Sequence, residues 1–165
     1  MKNTHNILSR DIVLDSGKIP YLTASTFNNS VGTYISYNEK LLEEGNSIFI
    51  GGKTFVVTYQ PEDYFSNDSH NLALYYKDST KRTKIHQIFF ATSIYKSLSH
   101  LYSWGDSISN RKIQKDTFLL PTNQNGEIDY KFIEVLISAT QKLVIKDVVD
   151  WADKKIKVTR SLVKL

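Results

Sequence analysis

Ser47-Ile48-Phe49-Ile50-Gly51-Gly52-Lys53-Thr54-Phe55-Val56-Val57-Thr58-Tyr59 is the stretch that decides the fold. Two runs of β-branched and aromatic residues flank Gly-Gly-Lys. Paired glycines admit positive φ, so the pattern predicts two strands joined as a hairpin or across a bulge. Outward from it, Ile19–Ala24 and Val31–Tyr37 read as strands on the N-terminal side, separated by the polar turn Asn28-Asn29-Ser30. Asn71–Tyr76 reads as a strand on the C-terminal side. Five short β candidates within eighty residues predict a small twisted, mostly antiparallel sheet.

The period changes after Lys84. Ile85, Ile88, Phe89, Thr92, Ile94 and Leu98 recur at near-helical spacing, which predicts a helix over 81–102 with that stripe on the sheet. A loop at Trp104-Gly105-Asp106 follows, then a short strand at Thr117–Leu120 stopped by Pro121. Asn125-Gly126 marks a turn. Asp129 is placed to cap a helix carrying Phe132, Leu136, Ala139 and Leu143, and continuing through Val144, Val148, Trp151 and Ile156. That helix is expected to fill much of 129–160, with room for one break. The fold class is α+β, with helices packed on the sheet and a C-terminal helix.

The chain has 165 residues, 41% hydrophobic, enough for one domain with a real core. The absence of Cys removes disulfide scaffolds, Cys-based zinc sites and thiol nucleophiles together. The polar opening Met1–Asn6 has no apolar signal region, and no run approaches the ~20 apolar residues of a membrane span. A cytoplasmic domain is expected. Lys and Arg number 21 against 17 Asp and Glu, and residues 1–138 hold 14 of each sign. The whole excess of +4 therefore lies in 139–165, and the body can meet a polyanion only through local patches.

Catalytic patterns are missing. There is no phosphate-cradling Gly-x-x-x-x-Gly-Lys-Ser/Thr loop, no Gly-x-Gly-x-x-Gly and no Gly-x-Ser-x-Gly elbow. His5, His70, His86 and His100 are scattered, none at metal-ligand spacing. Asp150, Asp153 and Lys155 loosely match the metal core of some nucleases. In a helix, however, Asp153 and Lys155 point about 200° apart, which favours a solvated charged face. No catalytic residue, metal or cofactor is expected.

Two clusters could meet phosphates. Lys77, Lys81, Arg82 and Lys84 sit at the start of the first helix, where cations beside a helix N-terminus make an anion site; the competing reading is an ordinary solvated turn. Ser107, Ser109, Asn110, Arg111, Lys112 and Lys115 follow Trp104. Their hydroxyl, amide and guanidinium groups suit base edges and phosphates, with Arg111 able to pair guanine and Asn110 adenine. The loops at Asn28, Asn29 and Ser30 and at Gly51, Gly52 and Lys53 add amides and backbone N–H groups, although Asn and Gly serve turns generally. Trp104 is either a loop anchor in the core or an exposed ring.

In order, these segments resemble a known family. Gly17–Thr26 with Asn28–Ile35 is similar to the opening of a target recognition domain of the specificity subunits of type I restriction–modification systems, and of fused type II restriction–modification enzymes. The likeness continues through Ser47–Gly52 to Tyr59, Asn71–Tyr75, Gln87–Thr92, Tyr102-Ser103-Trp104-Gly105, Ile113 to Leu120-Pro121, and Gly126–Glu134. It covers 17–137. Ser30 stands where the family often has Gly.

The resemblance implies a non-catalytic module over 1–137 that reads double-stranded DNA for a DNA methyltransferase, and for a restriction subunit where one is attached. Residues 138–165 would form a helical contact segment. Asn28, Asn29, Ser30, Lys53, Lys81, Arg82, Lys84, Trp104, Ser109, Asn110, Arg111 and Lys112 are the expected DNA-binding residues. Ile133, Leu136, Val144, Val148 and Trp151 are the expected partner-binding seam. Family members commonly carry two recognition domains joined by long helices, and this chain has room for one and part of a helix. The expectation is a half-subunit that forms a homodimer through the helix, or a domain of a larger polypeptide. The alternatives are a protein-interaction scaffold without DNA binding and a small metal nuclease using Asp150 and Asp153.

Overall fold

The computed structural model describes residues 1–163, and the chain forms two compact units, 1–120 and 121 onward. In chain order the strands are β1 (Lys2–Asn3), β2 (Ile19–Leu22), β3 (Val31–Ile35), β4 (Ser47–Ile50), β5 (Val57–Gln60), β6 (Phe65–Ser66) and β7 (Leu72–Leu74). The helices are α1 (Lys84–Leu98), α2 (Asn110–Ile113) and α3 (Tyr130–Val163).

The first unit holds two small sheets instead of one. One is fully antiparallel, in the order β1-β7-β4-β5; the other is β3-β2-β6, with β2 antiparallel to β3 and parallel to β6. Every residue of β4 is buried because both of its faces are covered. Successive strand side chains point to opposite faces. Phe49 turns to a cluster with Leu22, Val56 and Tyr64, meeting the Tyr64 ring edge-on at 5.9 Å. Ile48 faces the other way, lining a cavity of about 340 Å³ with Phe90, Ile94 and Leu98 of α1. Burying one such side chain is worth roughly 1.5–3 kcal/mol. A second cluster, Ile7, Tyr21, Ile35 and Phe65, packs around β2.

The hairpin is present: Ile50 pairs with Val57 across a loop at 51–56. Its glycines serve a different purpose from the expected one. The positive φ of this loop belongs to Phe55, at 51°, and Gly126 is the glycine with positive φ among the described residues. Gly51 and Gly52 are needed for close approach. A Cβ on Gly51 would stand 2.7 Å from Val56 Cγ1, and one on Gly52 would stand 2.4 Å from the His70 carbonyl oxygen.

Helix α1 is capped by Thr83, whose Oγ1 accepts from the His86 N–H. Its buried face is Gln87, Phe90, Ala91, Ile94 and Leu98; Thr92 is exposed, and Ile85, Ile88 and Phe89 are half-buried. The expected stripe was thus rotated, because the Phe89-Phe90 and Ile88–Ala91 neighbours allow two apolar arcs of similar strength. Thr117–Leu120 is not a strand. Phe118 turns into the cavity beside α1 while Leu119 is 90% exposed, and no neighbouring strand pairs with the segment.

In the second unit, Asn123 Oδ1 accepts from the N–H groups of Asn125 and Glu127 across the Gly126 turn. Asp129 Oδ1 accepts from the Phe132 N–H at 2.9 Å, the capping bond expected of it. Helix α3 then runs unbroken to Val163, through the expected boundary at 137/138. Among the described residues, no helix is long and apolar enough to cross a membrane.

Candidate nucleic-acid interface

Gly52 gathers three loops that are distant in sequence. Its N–H donates to Asn71 Oδ1 at 2.9 Å, and its carbonyl accepts from the Ile108 N–H at 3.2 Å. The missing side chain lets the His70 backbone lie against it. The 51–54 turn, the 66–71 segment and the 104–112 loop therefore form one surface. Thr54 Oγ1 donates to the Ala24 carbonyl at 2.7 Å and ties in the loop after β2. Asn3 bridges the far side, donating to the Ser69 carbonyl while its Oδ1 accepts from Asn110 Nδ2 at 3.3 Å.

On this surface Lys53 Nζ lies 5.7 Å from the Trp104 ring centroid and 3.1 Å from Asp68 Oδ2. Trp104 is 75% exposed, so it is an outward ring and not a core anchor. Ser109 caps α2, its Oγ accepting from the Lys112 N–H at 3.2 Å. Lys112 pairs with Asp106 and donates to the Ser107 carbonyl at 3.0 Å. Asn110 Oδ1 accepts from Gln114 Nε2. Arg111 is exposed, and its guanidinium has no partner among the described residues. Asp68 and His70 belong here too, though neither was selected from the sequence. The signal available was Asp-x-His: Asp68 Oδ1 accepts from the His70 N–H at 2.9 Å and lies 2.8 Å from its Nδ1. Burial raises the Asp68 carboxyl, but the His70 and Lys53 bonds outweigh it and hold the group below its usual range.

The other selected residues lie elsewhere. Asn28, Asn29 and Ser30 all adopt positive φ in a tight 3-10 turn. Ser30 is fully buried, its hydroxyl donating to the Ser25 carbonyl, so its side chain builds the turn and does not face a ligand. Asn29 Nδ2 donates to the Tyr59 carbonyl, and Gln60 Nε2 donates to the Asn29 carbonyl. Asn29 and the exposed Lys84 edge a separate groove between β5 and α1, with Thr58, Tyr59, Ile88 and Tyr95.

Arg82 is a structural residue. Its side chain is 15% exposed, donates to the Asn46 and Gly45 carbonyls, pairs with Glu44 at 3.0 Å, and lies over the Tyr75 ring. This pinning joins α1 to the segment entering β4, at the opposite end of that strand from Gly51 and Gly52. Lys81 precedes it in a short 3-10 turn, half-buried, its carbonyl 2.9 Å from His86 Nδ1. The residues expected from two clusters and two loops of the sequence are thus divided among three places in the fold.

On α3, Leu136, Val144, Val148 and Trp151 are exposed, whereas Ile133 is fully buried. At 100° per residue, Val144, Val148 and Trp151 share one narrow arc with the half-buried Ile137 and the exposed Val158, and Leu136 lies about 80° away from it. Lys155 Nζ sits 5.7 Å from the Trp151 ring centroid. Asp150 and Asp153 are exposed on the same helix, and no metal-capable cluster of three His, Asp or Glu occurs among the described residues.

The model of one family, the type I restriction modification DNA specificity domain, matches residues 2–149. The chain belongs to the type I restriction–modification DNA specificity domains. Membership gives this specificity domain the general role of a DNA-recognition module in such a system. Among curated proteins, no match was found. Among solved structures, the domain is similar to the type I restriction–modification system S subunit from M. genitalium, at 17% identity and a TM-score of 0.47 over 98% of this chain. The chain spans 40% of the length of that subunit.

Proposed function

We propose that this specificity domain reads double-stranded DNA with the surface assembled at Gly52, and directs a separate DNA methyltransferase, with a restriction subunit where one is attached, to the site it reads. The observation that carries the reading is the convergence of the 51–54 turn, the 66–71 segment and the 104–112 loop at Gly52, with Lys53 beside the exposed Trp104 ring and Arg111 exposed on the same loop. Arg111 suits a guanine edge, Asn110 an adenine edge, and Lys53 with Lys112 suits phosphates. Lys81 and Lys84 would contribute at the margin, and Asn28 and Asn29 would contribute only if the duplex reaches the β5–α1 groove. Ser30 and Arg82 are left out, being committed to the fold. Bond-making steps belong to the partner enzyme.

The exposed apolar arc on α3 supports a protein partner through Val144, Val148 and Trp151, either the methyltransferase subunit or a second copy in a homodimer. Leu136 would sit at the rim of that contact. A cytoplasmic location follows from the same proposal, since the DNA and its methyltransferase are there.

The test is a selection from random duplexes with the purified chain, alone and with a methyltransferase partner. Enrichment of a short motif that is lost in Arg111→Ala supports the reading. Recovery of unenriched DNA, or of none, overturns it in favour of a scaffold that does not read DNA.

A further inference from the structure

His70 stands on the surface assembled at Gly52 with its ring 64% exposed, while the Asp68 side chain beneath it is 20% exposed. Asp68 is fixed from several sides. Its Oδ1 takes the His70 N–H and faces His70 Nδ1, its Oδ2 takes Lys53, and its backbone carbonyl accepts from Thr4 Oγ1 and the Asn71 N–H. An ionised carboxylate only accepts hydrogen bonds, so the ring proton is held on Nδ1. Nε2 is thereby the outward atom, and it has no partner among the described residues. A histidine held by a carboxylate on one nitrogen and open on the other presents a single, oriented group to whatever meets that face. In the neutral ring Nε2 accepts a hydrogen bond; in the cation it donates one and brings a positive charge.

We propose that His70 contacts the DNA through Nε2, with Asp68 as its positioning residue, and that protonation of the ring strengthens binding. The inference rests on the reading that the Gly52 surface meets a duplex. The charges joined to the ring are Asp68 on its own segment and Lys53 on the 51–54 turn, which share that carboxylate; the Asp106–Lys112 pair lies on the 104–112 loop, and β1 contributes the neutral Asn3 beside Ser69. Asp68 is already neutralised by Lys53, so a protonated His70 adds a net positive charge where a phosphate or a base acceptor would lie. DNA favours the cation, so affinity rises as pH falls.

The experiment is a fluorescence-anisotropy titration of the full chain with a labelled duplex from the random-duplex selection, and with a mixed-sequence duplex, at pH 8, 7 and 6. Wild type is expected to tighten by up to about tenfold per pH unit, the limit for one coupled proton. H70Q, whose side chain is uncharged at every pH, is expected to fold with an unchanged melting profile and to give a flat pH profile on both duplexes. D68N is expected to bind more weakly and to flatten the profile, because its amide can donate to Nδ1 and release the ring. The proposal is overturned if H70Q keeps the wild-type pH response. A wild-type chain that binds neither duplex overturns the DNA reading and this inference together, whereas binding with an unchanged pH response in H70Q overturns the inference alone.

Discussion

A single missing Cβ organises the proposed site. Gly52→Ala places a methyl group 2.4 Å from the His70 carbonyl oxygen, a backbone atom that cannot swing aside. The substitution should cost about 1–3 kcal/mol of stability, as overpacking does, and weaken DNA binding further by separating the loops. Chemical denaturation and a binding titration on the same sample check both effects. Arg82→Ala should cost about 1–3 kcal/mol of stability, because it strips donors from the Asn46 and Gly45 carbonyls, yet leave the salt dependence of DNA binding unchanged. Arg111→Ala should do the reverse: no change in melting, a loss of about 1–3 kcal/mol in binding and relaxed preference at one base. Arg82 and Arg111 look equivalent in the sequence, each a cation in a polar run beside a helix start. What separates them is tertiary: carbonyls from residues 45 and 46 capture one guanidinium, and nothing among the described residues captures the other. That capture has no local signature.

At the level of elements, the β4–β5 hairpin, α1 and the long α3 were all legible, since each is announced by periodicity, and the hairpin and α3 also by local turn or cap chemistry such as Asp129. Strands β1 and β6 were not. At two residues each they have no period, and they exist because β7 and β2 offer them backbone partners. Thr117–Leu120 failed in the opposite sense, with β composition and no strand to join. On α3 the arc of Val144, Val148 and Trp151 is exposed over about two turns, an apolar patch that suits a protein contact. V144E and V148E should leave helix content unchanged by circular dichroism. Each should abolish self-association in light scattering, or capture of the methyltransferase subunit, whichever contact the arc makes.

For the whole molecule, the balance of charge sets how it meets a polyanion. With 1–138 carrying equal numbers of both signs, affinity must come from a few placed cations. Three or four neutralised phosphates predict a slope of log K against log salt of roughly −3. Two groups tie stability to pH at the extremes. Asp68 has a lowered folded pKa, so its contribution is present above the ordinary carboxylate range and disappears as pH falls through the lower folded value, below about pH 4. Tyr75 is pushed up to about 12, by burial first and then by Glu43 and Glu44 against the opposing Arg82. A raised tyrosine favours the fold below its unfolded pKa and loses that contribution as pH rises from about 10 towards the folded value. D68N should remove part of the acid-side decline, read from melting temperatures over the acid range. The close backbone contact between residues 52 and 70 also governs how such a module can be re-engineered. A swapped reading loop would have to arrive as a matched cassette, the turn at 51–54 together with the 66–71 segment that nests on it, and chimeras cut between the two would lose the seat on which any new specificity has to rest.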